Sequence, residues 1–296
     1  MRASGMHWAF NPNLDVARDA RWGRIGETFG EDTYLVTQRG TSLIYGLQGR
    51  YGVEPERVLA CAKHLIGGGE PMGGINAAPM DMSEQKLREV FLPPFISAVQ
   101  SNVFTVMAAH NELNGIPCHG NYWLLNDLLR DEIGFKGFIV SDWMDIERMY
   151  SMHHYLPSEE EAFRVSVEAG IDMHMQGDKF FETILTAVRD GHISEVRIDK
   201  AVHKILEAKF LLGLFENPVV DIPGTRALIA PSKHRQTALE AARQSLVLLK
   251  NDGLLPLKKG VYQKIFITGP NADSQTILGE SIAASGQAAR MPSPTV

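Results

Sequence analysis

Apolar residues follow two alternating rhythms along this chain. Short unbroken runs, rich in β-branched and aromatic side chains and often bounded by Gly or Pro, predict buried parallel strands at residues 7–11, 58–63, 105–109, 138–141 and 171–174. Between them lie longer stretches with helical spacing. These predict helices over 34–47, 122–132, 159–169, 180–189 and 194–212. A further helix is expected from Asp81, whose side chain suits a cap with Glu84 three residues on. Its apolar face is Leu87, Val90 and Phe91, and Pro93–Pro94 must kink or restart it.

Repeated βα units predict an α/β fold: a parallel sheet or barrel. About five strands are legible, whereas a closed (β/α)₈ barrel needs eight. The opening "MRASGMHWAFNPNLD" reads as a helix end running into a strand, without the apolar core of a signal peptide. The end is equally abrupt, so both termini are expected to be truncations. The expected organisation is a barrel domain over 1–216 with its first strands missing, a linker over 217–231, and the start of a second α/β domain over 232–296. The linker "NPVVDIPGTRALIAP" holds three prolines, a glycine and no periodicity. Ser232 is a plausible cap for the helix that follows. "KIFITGPNAD" then predicts a strand entering a turn, and the last dozen small and polar residues predict no fixed structure.

Composition narrows the class. The 296 residues are 44 % hydrophobic and 22 % charged, with a net charge of −6. That balance fits a folded soluble body and gives no general attraction to nucleic acid or anionic membranes. No apolar stretch reaches the ~20 residues of a membrane span. Two cysteines, Cys61 and Cys118, cannot build a disulfide framework.

In parallel α/β folds the C-terminal strand ends form the active face. "GFIVSDW" ends on Asp142 and Trp143: a carboxylate with an indole that can serve as a platform for a sugar ring. Turn capping by Asp142 and a core role for Trp143 are the structural alternatives. "VLACAKH" ends on Lys63 and His64, and an unpaired buried ammonium is costly, so Lys63 must reach solvent, a carboxylate or a ligand. "LIGGGEPMGG" lacks the ending of a P-loop and reads as a loop over a site. "DVARDARWGRIGETFGED" interleaves Arg24 and Glu27 with Trp22 and Phe29, donors and acceptors that suit a polyol. His110 and Asn111 follow another strand end. His153, His154 and Asp145 match no known zinc spacing, so no metal is expected. No G-x-S-x-G elbow marks a serine hydrolase.

Taken together, "FNPNLDVARDARWGRIGETFGED", "AKHLIGGG", "LREVFLPPF", "VMAAHNELNG", "GFKGFIVSDW", "SLVLLKNDGLLPL" and "ITGPNAD" resemble glycoside hydrolase family 3, the two-domain β-glucosidase type, over roughly residues 1–280. The resemblance implies a (β/α) barrel followed by an α/β sandwich, with the active site between them. It implies that Asp142 is the nucleophile of a retaining, exo-acting β-glycosidase, foremost a β-D-glucosidase. Arg24, Lys63 and His64 would bind sugar hydroxyls, Glu27 would orient Arg24, and Trp143 would line the entrance. No cofactor is implied, the partner is a β-glucoside, and related enzymes are often periplasmic or secreted. Two departures stand out. His110 occupies a position that is commonly Tyr. The family's general acid/base is a Glu expected beyond this chain, and Glu280 is too early for it. A β-xylosidase or other β-glycosidase, a non-hydrolysing sugar-binding fragment, and a Schiff-base aldolase using Lys63 are the alternatives.

Overall fold

The computed structural model describes residues 1–228, 231–269 and 272. The chain divides into two compact units, Met1–Val220 and Asp221–Val296.

The first unit is built on a parallel sheet. Strands β1 (Cys61–Leu65) and β2 (Thr105–Ala108) are followed by a short hairpin, β3 (Glu112–Leu113) and β4 (Ile116–Pro117), and then by β5 (Phe138–Val140). The sheet runs β1-β2-β5, with Cys61 opposite Thr105 and Thr105 opposite Phe138. Parallel single bridges extend it on both sides. Trp8 meets Leu59 and Asn13 meets Lys63 at one edge, and Val140 meets Met173 at the other.

The outer segments, expected as full strands at 7–11 and 171–174, are therefore extended chain with interrupted ladders. The reasons are local. Pro12 has no N–H to give. At the other edge the Ile139 N–H donates to the Asp172 carboxylate at 2.9 Å instead of to a neighbouring strand carbonyl.

Side chains alternate across the sheet. Ala60, Ala62, Val106, Ala108 and Ile139 join the large core under the helices. Leu59, Cys61, Met107, Phe138 and Val140 pack on the other face with Ala208 and Leu212. Both faces are covered, which is why these strands read as continuous apolar runs. Gly137 precedes β5 because nothing larger fits: a Cβ there would lie 1.8 Å from the Phe104 carbonyl oxygen. Gly137→Ala is expected to cost about 1–3 kcal/mol or more, read as a lowered urea midpoint at unchanged slope.

The helices are α1 (Thr33–Gln48), α2 (Glu84–Lys86), α3 (Pro93–Gln100), α4 (Asp145–Ser151), α5 (Glu159–Ala169), α6 (Phe180–Arg189) and α7 (Glu195–Leu211). Asp32, Ser158 and Ser194 cap α1, α5 and α7 by accepting backbone N–H groups. The cap expected from Asp81 belongs to Ser83, which accepts from the Lys86 N–H. A π-helical turn, Leu87–Phe91, joins α2 to α3, and Pro93 restarts the helix. The stretch expected as an α-helix over 122–132 is π-helical over Trp123–Glu132. Among the described residues no helix is long and apolar enough to cross a membrane.

In the second unit, α8 (Ile222–Leu228) lies within the stretch expected as a linker, and α9 (Ser232–Ser245) follows. Ser232 is the first residue of α9, not its cap; Pro231 holds the cap position without a side-chain bond. Residues 264–268, expected as a strand, form none among the described residues. Glu280 and the last dozen residues lie outside them.

Candidate active site

Strand β5 ends at Val140, and two residues later Asp142 stands at the C-terminal edge of the sheet. The Asp142 backbone N–H donates to His119 Nε2 at 3.0 Å, and its own Oδ1 accepts the Trp143 N–H at 2.6 Å. Met144 takes a left-handed conformation, φ 55°, and opens α4. That turn leaves Oδ2 pointing at two imidazoles. His64 Nε2 is 3.3 Å away and His110 Nε2 is 3.0 Å away.

His64 comes from β1. Between Ala62 and Leu65 this strand spends three steps where β2 spends two, a bulge of one residue. On its far side, His64 Nδ1 contacts buried Asp15 Oδ2 at 2.7 Å. His110 follows β2, and its Nδ1 lies 2.5 Å from Asp145 Oδ2, off the ideal hydrogen-bond direction. Asp145 also accepts from Arg148 Nη1 at 2.7 Å. The His110 carbonyl accepts from His153 Nε2 at 3.1 Å, whose Nδ1 faces Glu112 at 2.8 Å.

Burial opposes the charge on Asp142. The contact with His110, the charge of that imidazole, and then His64 and the Trp143 N–H outweigh it and hold the carboxyl far below the usual carboxylate range. Burial likewise disfavours protonated His110, but Asp142 and Asp145 on either side hold its pKa up at about 9. Asp142 is thus a carboxylate, and His110 an imidazolium, at neutral pH.

His119 is different. Burial pushes its imidazole down to about 4, against the pull of Asp145 and Asp142, so it stays neutral and can accept the Asp142 N–H. Its folded pKa lies below the unfolded value of 6.5. Its contribution to stability is therefore complete above pH 6.5 and is lost as pH falls toward 4. His119→Gln is expected to abolish that acid-side loss. The stability difference, wild type minus variant, should shrink by roughly 3 kcal/mol between pH 7 and pH 4, measured by urea unfolding at each pH.

Arg24 donates to both oxygens of Glu27, at 2.8 and 2.9 Å, and its Nη2 is 3.4 Å from His64 Nε2. The Arg24 hydrogen bond holds the Glu27 carboxyl below its usual range; His64 and Lys63 add smaller pulls of the same sign. Lys63 itself is half-buried. Among the described residues its ammonium makes no ion pair or hydrogen bond, so neither a structural ion pair nor a buried partner explains it. Trp143 is 52 % exposed at the rim.

The structure thus brings His64, His110 and Asp142 into contact, with Arg24 and Glu27 joined to them through His64. His153 and Asp145, weighed together from the sequence as metal ligands, have separate partners. Among the described residues the metal-capable set is His64, His110 and Asp142. Three further neighbours of this cluster are Asp15, Asp145 and His119. Asp15 carried a signal: a lone carboxylate among Leu14, Val16 and Ala17. Asp145, a metal-ligand candidate by sequence, lies three residues past Asp142. His119, in "GIPCHGN", carried no signal.

Comparison with known proteins bears on this geometry. The model of the glycosyl hydrolase family 3 N terminal domain matches residues 1–208. A beta-xylosidase of Formosa agariphila is 43 % identical over 287 residues, 93 % of this chain and 40 % of that protein. The periplasmic beta-glucosidase of Salmonella typhimurium is 37 % identical over 96 % of this chain and 38 % of its own length. Among solved structures, a beta-glucosidase involved in saponin metabolism from intestinal bacteria superposes with a TM-score of 0.92 at 39 % identity, covering 98 % of this chain and 39 % of that one. The chain spans about two fifths of the length of these relatives.

Proposed function

This chain belongs to glycosyl hydrolase family 3, and from that premise we propose that it carries the nucleophile side of a retaining, exo-acting β-glycosidase. Asp142 is the nucleophile. The observation that carries this reading is an ionised carboxylate at a parallel strand's C-terminal end, held by two imidazoles and a backbone N–H.

Asp142 attacks the anomeric carbon of a terminal sugar as the bond to the aglycone breaks, through an oxocarbenium-like transition state. The product of this step is a glycosyl ester. The aglycone oxygen keeps the bonding pair and takes a proton from a general acid supplied from outside the described residues. Water then attacks the same carbon and gives its proton to that group's conjugate base, the ester bond breaks with its electron pair returning to Asp142, and the sugar leaves with retained configuration. Lys63, with no partner among the described residues, and Arg24, oriented by Glu27, donate to the sugar hydroxyls with His64. Trp143 offers its exposed indole where the aglycone sits.

The parallel sheet with its bridged edges supports a barrel domain of the TIM type, and an α/β sandwich is proposed to follow the second unit's opening helices. β-D-Glucosides are the proposed substrates. β-Xylosides are the second reading, favoured by the Formosa agariphila relative's name. The name of the Salmonella typhimurium relative supports export to the periplasm.

The test is intact mass after incubation with 2-deoxy-2-fluoro-glucosyl and 2-deoxy-2-fluoro-xylosyl dinitrophenolates. The leaving group departs without protonation, and fluorine slows breakdown of the ester. A one-to-one mass gain mapped to Asp142 is expected, faster with the glucosyl reagent. Labelling elsewhere, or none on a folded chain, overturns the assignment; faster labelling by the xylosyl reagent makes this a β-xylosidase site.

A further inference from the structure

Three ligand-type atoms converge on one point. His64 Nε2 and His110 Nε2 lie 3.3 and 3.0 Å from Asp142 Oδ2, and all three fall within 4.8 Å of one another. Each imidazole is backed on its other nitrogen by a buried carboxylate, Asp15 at 2.7 Å from His64 and Asp145 at 2.5 Å from His110. We propose that His64, His110 and Asp142 form a binding site for a divalent transition-metal ion of the zinc class, which caps Asp142 and competes with the sugar.

The backing carboxylates carry much of the argument. A histidine that ligates a metal through one nitrogen characteristically donates the other N–H to a carboxylate, carbonyl or water, which fixes its tautomer and aims its lone pair. Here His64 has that arrangement with Asp15, and Asp145 stands 2.5 Å from His110 Nδ1, off the ideal direction, while both Nε2 atoms lie within 3.3 Å of the same oxygen.

Size agrees as well. A tetrahedral ion with bonds of about 2.0–2.1 Å holds its ligand atoms about 3.4 Å apart. The two nitrogen–oxygen separations, 3.3 and 3.0 Å, lie close to that value, and the two nitrogens are no more than 4.8 Å apart. His110 and Asp142 retain 15 % and 13 % side-chain exposure, so the fourth position opens toward solvent.

Two imidazoles and one carboxylate suit zinc, copper or nickel better than magnesium or calcium. Charge permits the ion. The carboxylates of Asp15, Glu27, Asp142 and Asp145 stand against the cations Arg24, Lys63 and Arg148. Arg24 Nη2, 3.4 Å from His64 Nε2, would have to give way to the ion, and both oxygens of Glu27 are there to hold that guanidinium. Binding forms the metal–ligand bonds and releases the His110 Nε2 proton to solvent; no electron moves.

The binding stands without the glycosidase reading, whereas the competition with sugar rests on it. The test therefore has two arms. In the first, the chain is titrated with Co²⁺ and the visible absorption is followed. An intense tetrahedral band that Zn²⁺ abolishes is expected. His110→Gln should weaken binding at least about 100-fold, and Asp145→Asn, which removes only the backing carboxylate, about 10–100-fold. His203→Gln, at an exposed position on α7, should change nothing. Circular dichroism checks each fold; if Asp145→Asn unfolds, His110→Gln decides. A weak octahedral spectrum like that of the free ion overturns the site, as does equal binding by the His110 variant.

In the second arm, Zn²⁺ is added to the fluoro-sugar labelling. Slower labelling of the wild type, at Zn²⁺ concentrations about 10–100-fold below those Asp145→Asn needs, is expected. Metal binding without any effect on labelling overturns the competition. A chain that binds Co²⁺ and is never labelled even without Zn²⁺ sinks the glycosidase reading and leaves the metal site standing.

Discussion

Asp142→Ala is expected to lower turnover by about 10⁴- to 10⁶-fold and to abolish covalent labelling, with the fold intact. The size follows from the proposed role. A nucleophile that forms the ester is not replaced by binding interactions alone, and what remains is the catalysis supplied by sugar contacts and charge. The intact fold follows from the geometry. The Asp142 backbone N–H still donates to His119, and His110 keeps Asp145 as its counter-charge. Asp142→Asn tests charge apart from shape, since it preserves volume and still offers an oxygen near the Trp143 N–H. It too should form no ester. The measurement is steady-state hydrolysis of an aryl glycoside alongside intact mass and thermal melting. A variant that keeps more than about a hundredth of wild-type turnover would remove Asp142 from the nucleophile role. A loss of activity accompanied by unfolding would instead assign it a structural part.

Asp172→Ala is expected to produce the largest loss of stability, about 3–5 kcal/mol. The Asp172 side chain is only 2 % exposed and serves three partners. Arg130 Nη2 lies 2.5 Å away, Arg197 Nη1 3.1 Å away, and the Ile139 N–H donates to it at 2.9 Å. The two arginines are themselves four-fifths buried, and burial pushes the Arg197 guanidinium below its ordinary pKa. Removing the carboxylate leaves two cations facing each other in a poorly solvated space. Breaking one side of a buried pair is costly for that reason, even where the intact pair adds little net stability. Arg197 also donates to the Val167 and Ile171 carbonyls, and Arg130 to the Gly137 carbonyl. One carboxylate thus ties α7 and the Trp123–Glu132 helix to the sheet edge beside Asp142. Asp172→Asn, which keeps one acceptor, should cost less than Ala. Urea unfolding of both variants gives the order; an Ala variant within 1 kcal/mol of wild type would show the arginines finding other partners.

Part of the site was legible because Asp142 and His110 follow strand ends, and a parallel sheet gathers such ends on one edge; Lys63 and His64, expected where a strand over 58–63 stops, lie inside β1, which runs over Cys61–Leu65. Arg24 and Glu27 were legible as a pair, three residues apart, and they meet as one. Lys63 was singled out because a buried run should not end in an ammonium, and its lack of a partner among the described residues keeps that anomaly intact. The fold's helices were equally plain, since amphipathic spacing and Ser or Asp caps are local properties. The misplaced caps at Asp81 and Ser232 show the limit: both are capable residues, and where the first turn began decided the matter.

By itself the sequence determined the alternation of strands and helices, the covered character of the sheet and the strand-end positions of Asp142 and His110, but not those of Lys63 and His64, which lie inside β1. Each of these is written in neighbouring residues, through period, propensity and turn chemistry. Only the tertiary structure decided what those polar residues do to one another. Asp15 reaches His64 across 49 positions, and no local pattern encodes such a meeting. Asp145 and Asp142 together make His110 a cation, while burial, aided by smaller pushes from His110 and His153, makes His119 neutral. Charge state inside a protein is set by what lies within a few ångströms after folding and by how much water has been excluded. The sequence therefore supplied the side chains, and their packing around Asp142 settled the charge states of Asp142, His110 and His119.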